Sequence, residues 1–271
     1  MDRRPIGVFD SGLGGLTAVR ELARIMPEED LVYFGDTGRV PYGSRSPETI
    51  IRYARQDVAF LNSFDPKAIV IACGTVSTTA LEVLRRENAV PIFGVVEPAA
   101  REAARLTRNG RVGLLGTQAT IRSGAYESAL AALRPGTEVT AQACPLLVPL
   151  VENGRCQPGD PVAEQVVSEY LAPLKAADVD TVMLGCTHYP LLRAIIAGRM
   201  GESVELVDVG AQCARWVAGQ LTAREMRTDT AGQGRRRYFV SDTTRDFASL
   251  ASAFLGEDVA GDVEQIDITV Y

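Results

Sequence analysis

Two cysteines stand out by where they fall. Cys73 follows the apolar run 68–72 and precedes Gly74, Thr75, Ser77 and Thr78, while Cys186 follows the run 179–184 and precedes Thr187 and His188. A free buried cysteine is ordinarily a small hydrophobe, but a core does not ask for the hydroxyls and the imidazole that come after these two. A thiol at a strand end, ahead of a helix N-terminus and among hydroxyl donors, is drawn down from ~8.5 toward a working pKa. Cys144, Cys156 and Cys213 lack such surroundings and read as core. No two cysteines have Cys-x-x-Cys spacing, and 113 positions separate Cys73 from Cys186. Such a pair could be a redox couple, a nucleophile with a bystander, or two proton carriers on opposite faces of a carbon acid. The last chemistry needs symmetry, because each base must be the acid of the reverse direction.

The other reactive residue types are scarce. His188 is the single histidine, so a Ser-His-Asp site would have to use it and a multi-histidine zinc site is impossible. The only lysines are Lys67 and Lys175, each just ahead of an apolar run where a solvated element end is expected, which argues against a pyridoxal phosphate enzyme. Two-base proton transfer needs neither metal nor cofactor and fits both scarcities. A net charge of −6 argues against a nucleic-acid partner, and Arg235-Arg236-Arg237 reads as a solvated loop. No apolar run reaches the ~18 residues of a membrane span. The first apolar run begins at residue 6, so no signal peptide is expected, and free thiols in the cytoplasm are.

Residues 6–9, 31–34, 68–72, 92–96, 112–115, 179–184 and 204–207 read as buried strands. Between them, 13–26, 47–64, 78–87, 98–106, 123–133 and 161–176 read as helices. In the first of these, Leu16, Val19, Leu22, Ala23 and Met26 keep helical spacing and Pro27 stops it. This alternation predicts an α/β fold of mostly parallel sheets flanked by helices. A weak internal repeat divides it: Asp10 lies 63 residues before Cys73, and Thr117 lies 69 before Cys186, each after a similar apolar run. Two pseudo-symmetric lobes are expected, 1–97 with 210–271 and 98–209, with the active site in the cleft between them. Ligands of open α/β sheets bind beyond the carboxyl ends of strands, so facing lobes would put two thiols around one cleft. Past residue 210, a helix at 211–221, a strand at 237–240 and a helix at 247–255 are expected to complete the first lobe, with 222–234 an exposed connection.

Further polar residues fall at strand ends. Asp10-Ser11-Gly12-Leu13-Gly14-Gly15 is a poor phosphate loop, because Thr17 stands where a dinucleotide fingerprint wants glycine or alanine and Asp10 would repel a pyrophosphate. A tight turn aiming amides at a small carboxylate, with Asp10 facing an ammonium or a thiol, is the alternative use. Asp36-Thr37-Gly38-Arg39 follows the second strand, and Pro41-Tyr42-Gly43 is a turn whose amide and phenol could touch a ligand. Tyr42 and Glu152 each read equally well as solvated turn residues. His188, two residues from a thiol, could tune its protonation.

In combination these segments resemble the glutamate racemases of the cofactor-independent aspartate/glutamate racemase superfamily. The resemblance is carried by Phe9 to Gly15, Gly35 to Gly43, Ala72-Cys73-Gly74-Thr75 and Leu184 to Leu191, and it extends from about Ile6 into the C-terminal segment. It implies that Cys73 and Cys186 are the two acid/base residues, one for each enantiomer, with Asp10 assisting Cys73 and with Glu152 and His188 assisting Cys186. It implies substrate contacts from Asp10 and Ser11, from Pro41-Tyr42-Gly43, and from Gly74-Thr75. On the second lobe it implies Thr117, Thr120, Thr187 and His188. It further implies glutamate as substrate, no cofactor, no metal, a homodimer, and a supply of D-glutamate for peptidoglycan. Members commonly carry Asn after the first catalytic cysteine; Gly74 departs from this, and a backbone N–H or a water is expected to replace the lost amide. The long N-terminal extension of some members is not expected. The rival readings are an aspartate or related racemase with the same thiols and a binding module that has lost catalysis.

Overall fold

The computed structural model describes residues 2–229, 232–242, 247–256 and 263–271. The first half of the chain runs β1 (Ile6–Asp10), α1 (Leu16–Ile25), β2 (Leu31–Gly35), α2 (Pro47–Asn62), β3 (Ala68–Ile71), α3 (Gly74–Thr79), α4 (Leu81–Glu87), β4 (Ile92–Gly94) and α5 (Val96–Leu106). It continues with β5 (Arg111–Gly116), α6 (Gln118–Ser123), α7 (Ala125–Leu133), β6 (Glu138–Ala143), α8 (Leu147–Glu152), α9 (Pro161–Ala176), β7 (Thr181–Leu184), α10 (Arg193–Met200) and β8 (Glu205–Asp208). The last elements are α11 (Val209–Ala223), β9 (Arg236–Val240), α12 (Phe247–Leu255) and β10 (Val263–Gln265).

The strands form two sheets, ordered β10-β9-β2-β1-β3-β4 and β6-β5-β7-β8. Neighbouring strands in both run parallel, as the alternating pattern predicts. Every residue of β1, β2 and β3 is buried, because helices cover both faces. One core runs from Ile6, Val8 and Val70 of the first sheet, through α1, α5 and α11, to Leu114, Val182 and Leu184 of the second. A second core gathers Phe9, Phe34, Phe60 and Ile69 beneath α2. Helix starts follow capping chemistry: Ser46 accepts the Thr49 amide ahead of Pro47, and Asp160 accepts the Val162 and Ala163 amides ahead of Pro161. No helix among the described residues is long and apolar enough to cross a membrane.

Several expectations need correction. The helix expected at 78–87 begins at Gly74 and breaks at Ala80 (φ −114°), giving α3 and α4. The hydroxyls of Ser77 and Thr78 turn back to the carbonyls of Ile71 and Thr75, so these residues serve a first turn despite their weak helix propensity. Strand β6, half-buried at a sheet edge, is absent from the expected strands; its alternation of Val139, Ala141 and Ala143 with polar residues is the signal for it. The stretch 222–234 is largely exposed where described, as expected, but it is anchored: its start is the end of α11, Arg227 pairs with Glu28, and the Gly234 amide donates to Pro27. Residues 230 and 231 within it lie outside the described residues. Of the arginine run, Arg236 and Arg237 belong to β9, and the Arg237 guanidinium lies 4.9 Å from the Phe239 ring centroid. Lys175 is exposed, but Lys67 is wholly buried at the base of the first sheet. Its ammonium pairs with Glu29 and donates to the Asp2 carbonyl at 2.7 Å, while Glu29 also accepts the Thr228 amide at 3.0 Å.

Breaking a buried pair strands the remaining charge and costs about 3–5 kcal/mol. Glu29→Ala is therefore expected to lower the urea midpoint of unfolding markedly while leaving the slope unchanged, and an unaltered midpoint would contradict this reading of Lys67.

Candidate active site

The carboxyl edges of the two sheets face each other. Cys73 joins β3 to α3, Asp10 ends β1, Thr117 joins β5 to α6, and Cys186 lies just beyond β7. Both thiols line one cavity of about 360 Å³, although each residue is under a tenth exposed. Contact between the edges is intimate. Thr75 Oγ1 meets Thr117 Oγ1 at 2.9 Å, and the Thr17 hydroxyl donates to the Thr187 carbonyl at 3.1 Å. Bare Cα atoms make this approach possible. A Cβ on Gly14 would overlap Thr187 and His188, one on Gly74 would overlap the Gly185 carbonyl, and one on Gly43 would come to 3.2 Å from Thr117 Cβ.

The two sulfurs sit in unlike surroundings. Cys73 Sγ lies 3.3 Å from Ser11 Oγ. Burial pushes this thiol up to about 12, the Asp10 charge pushes the same way, and the Ser11 contact opposes them. Asp10 turns an oxygen to the Gly12 amide at 2.9 Å; burial raises its carboxyl, and the nearby His188 charge counteracts that. Beside Cys186, His188 Nδ1 stands 3.8 Å from the sulfur and Nε2 3.1 Å from Glu152 Oε1, and its ring makes a T-shaped pair with Phe254 of α12, centroids 5.2 Å apart. Burial alone would lower this imidazole. Its contacts with Cys186 and Glu152 prevail and raise it from 6.5 to about 10, so the imidazolium is the form at neutral pH.

Most residues singled out in the sequence line this cavity: Ser11, Pro41-Tyr42-Gly43 and Gly74-Thr75 on one side, with Thr117, Glu152, Thr187 and His188 on the other. Asp10 and Thr120 do not reach the wall. Both are fully enclosed behind it, Asp10 bound to Gly12 and Thr120 Oγ1 bound to Thr117 Oγ1 at 3.0 Å. The Tyr42 phenol does not face a ligand either; it donates to Asp36, so the turn offers the cavity backbone and ring instead. Two parts of the wall are not evident from the sequence. Cys144, which reads as core, is buried yet lines the cavity beside Val148 of α8, and α8 itself carries Glu152 to His188. The 146–151 run preceding Glu152 held the signal for α8, but its mixed Leu, Val and Pro gave no clear helical period.

Comparison with known proteins agrees with this geometry. Residues 10–215 match the family described as Asp/Glu/Hydantoin racemase. The chain belongs to this family. It is 47% identical over 268 residues to a glutamate racemase from Geobacter metallireducens, covering 99% of this chain and 98% of that protein. Its fold is similar to a glutamate racemase from Bacillus anthracis (TM-score 0.93, 36% identity, 98% of each chain). It is likewise similar to one from Francisella tularensis in complex with D-glutamate (TM-score 0.92, 34% identity, 100% of each chain).

For this Asp/Glu/hydantoin racemase chain, two outcomes are expected. With one histidine in the sequence, proton NMR reads His188 without ambiguity. Its titration midpoint should lie near 10, the positive charge being lost only as pH rises through that value, and Glu152→Gln should move the midpoint down. A midpoint near 6.5 in the unaltered protein would refute the assigned contacts. Gly74→Ala should hold the sheet edges apart, so that iodoacetamide labels Cys73 and Cys186 several-fold faster while core Cys213 stays protected. Unchanged labelling would show that the edges have slack.

Proposed function

We propose that this chain interconverts L- and D-glutamate by two-base proton transfer, with Cys73 and Cys186 as the two acid/base groups. The observation that carries the reading is the meeting of these two thiols, from separate sheets, in one small cavity whose largely apolar wall also presents the hydroxyls of Ser11, Thr75, Thr117 and Thr187. The three relatives named above, matched over nearly their full length, are glutamate racemases. The reading treats 1–97 with 210–271 and 98–209 as two lobes that close over the substrate, and its proton transfers use side chains alone.

Glutamate lies with its α-carboxylate on donors supplied by Ser11, Thr75, Thr117 and Thr187 and by the backbone of the Tyr42–Gly43 turn. In the free protein Cys73 holds its proton, and His188 is a cation beside the Cys186 sulfur. In one direction the Cys186 thiolate takes the α-proton. The C–H electron pair moves into the α-carboxylate, whose growing charge the fixed donors stabilise, and the Cys73 thiol delivers a proton to the opposite face. The product is the mirror image, leaving Cys186 as thiol and Cys73 as thiolate; the reverse reaction starts from that state. Asp10 acts on Cys73 through charge rather than as a substrate contact. Glu152 holds the His188 cation in place. Closure excludes water, which would otherwise exchange the protons and weaken the donors.

Incubation with L-glutamate in heavy water is expected to bring optical rotation to zero and to place deuterium at Cα. Cys73→Ala and Cys186→Ala should each reduce racemisation by about 10²–10⁴-fold. Full racemisation by either variant would refute the two-base reading. Faster turnover of aspartate than of glutamate would favour a sister racemase.

A further inference from the structure

Behind the Tyr42–Gly43 turn lies a polar cluster that no step above uses. Asp36, at the end of β2, accepts the Tyr42 hydroxyl and Arg39 Nε (2.6 Å) on one oxygen and the Ser241 hydroxyl (2.7 Å) on the other. Asp57, on the inner face of α2, accepts Arg39 Nη2 at 2.9 Å on Oδ1, while its Oδ2 lies 3.4 Å from the Tyr42 hydroxyl. Arg39 also donates to Gln56 Oε1 at 2.5 Å and lies over the Tyr53 ring, which packs against Tyr42. Both carboxyls are fully buried. Among the described residues, then, two buried acids share one guanidinium. Two ionised acids would leave a net negative charge there, a state that costs several kcal/mol.

We propose that Asp57 is a positioning residue for the Tyr42–Gly43 wall of the cavity, acting as a neutral carboxylic acid beside an ionised Asp36. The hydrogen-bond directions favour this division. Asp36 already has three donors, as suits the anion, and its contact with Tyr42 uses the phenol proton. The Tyr42 oxygen is thereby free to accept, and a protonated Asp57 Oδ2 faces it. A relay results, from Asp57 O–H to Tyr42 O–H to Asp36, with Arg39 balancing the single charge. Burial and the charges of Asp36 and Asp10 also hold the Asp57 carboxyl well above the usual carboxylate range, and Arg39 and the Tyr42 contact only partly offset them. The relay ties together α2, the loop after β2 and the segment after β9. It fixes the turn from behind while Gly43 abuts Thr117 of the facing sheet edge.

The functional half of this inference rests on the racemase reading, and the structural half does not, so two readouts are needed. Asp57→Ala should speed backbone hydrogen exchange at 40–44 in the free protein. It should also raise KM for glutamate about tenfold with kcat little changed, the mark of lost binding geometry rather than lost chemistry. Asp57→Asn supplies the same acceptor and donor as the neutral acid and should restore both. Should Asp57→Ala fail to fold, Asp36→Asn against Asp57→Asn decides: the first should loosen 40–44 and the second should not. Equal behaviour of those two variants, or an Asp57→Ala protein with unaltered exchange, overturns the proposal. If glutamate is not a substrate, KM has no meaning but the exchange result still stands or falls alone.

Discussion

The active-site cavity depends on how closely two sheet edges can approach. Parallel strands deliver side chains to their carboxyl edges, but two such edges normally keep their loops apart by the bulk of the side chains between them. Here Gly14, Gly43 and Gly74 present bare backbone toward His188, Thr117 and Gly185. That removes a layer of atoms from the interface, and the hydroxyls of Thr75 and Thr117 come within hydrogen-bonding distance. The enclosed space is then lined by the two thiols, with Cys144, His188 and Glu152 in the same wall. Gly74 thus has a use unrelated to replacing a missing amide: any side chain there would meet a carbonyl of the other sheet's edge.

Enclosure also makes the two sulfurs electrically unequal. Burial and Asp10 keep the proton on Cys73, whereas Cys186 has a cation 3.8 Å away whose charge is secured by Glu152. The two sheets present their cysteines alike, but the charged neighbours of the two sulfurs differ. A racemase reading requires that asymmetry to invert during each turnover, so the resting state sets up one direction and its product state sets up the other. The neighbours of the thiols, more than the thiols themselves, decide which form waits for substrate.

Much of this was legible in the sequence. Short buried runs ending in Asp10, Cys73 and Cys186 revealed the parallel sheets and the edge that matters, because strand periodicity and strand-end polarity are local properties. What escaped detection was set by tertiary contact. Lys67 looks like a solvated strand end until Glu29, 38 positions away, is folded against it. Tyr42 looks like a ligand contact until Asp36 takes its hydroxyl. Asp57 sits within an ordinary amphipathic helix, and nothing nearby in sequence marks it as buried with Arg39. Cys144 has apolar neighbours and reads as core; the turn into α8 brings it to the cavity wall. Strand β6 alternates Val139 and Ala141 toward the core with polar residues, but two small apolar side chains make a weak pattern.

The account turns on both sulfurs reaching the same carbon. A crystal structure of the protein with D-glutamate bound would measure this directly. The account predicts Cys73 Sγ and Cys186 Sγ in van der Waals contact with Cα on its opposite faces, with the α-carboxylate on the threonine and serine hydroxyls. A substrate whose Cα is approached by one sulfur only, or which lies with both sulfurs on one face, would contradict it.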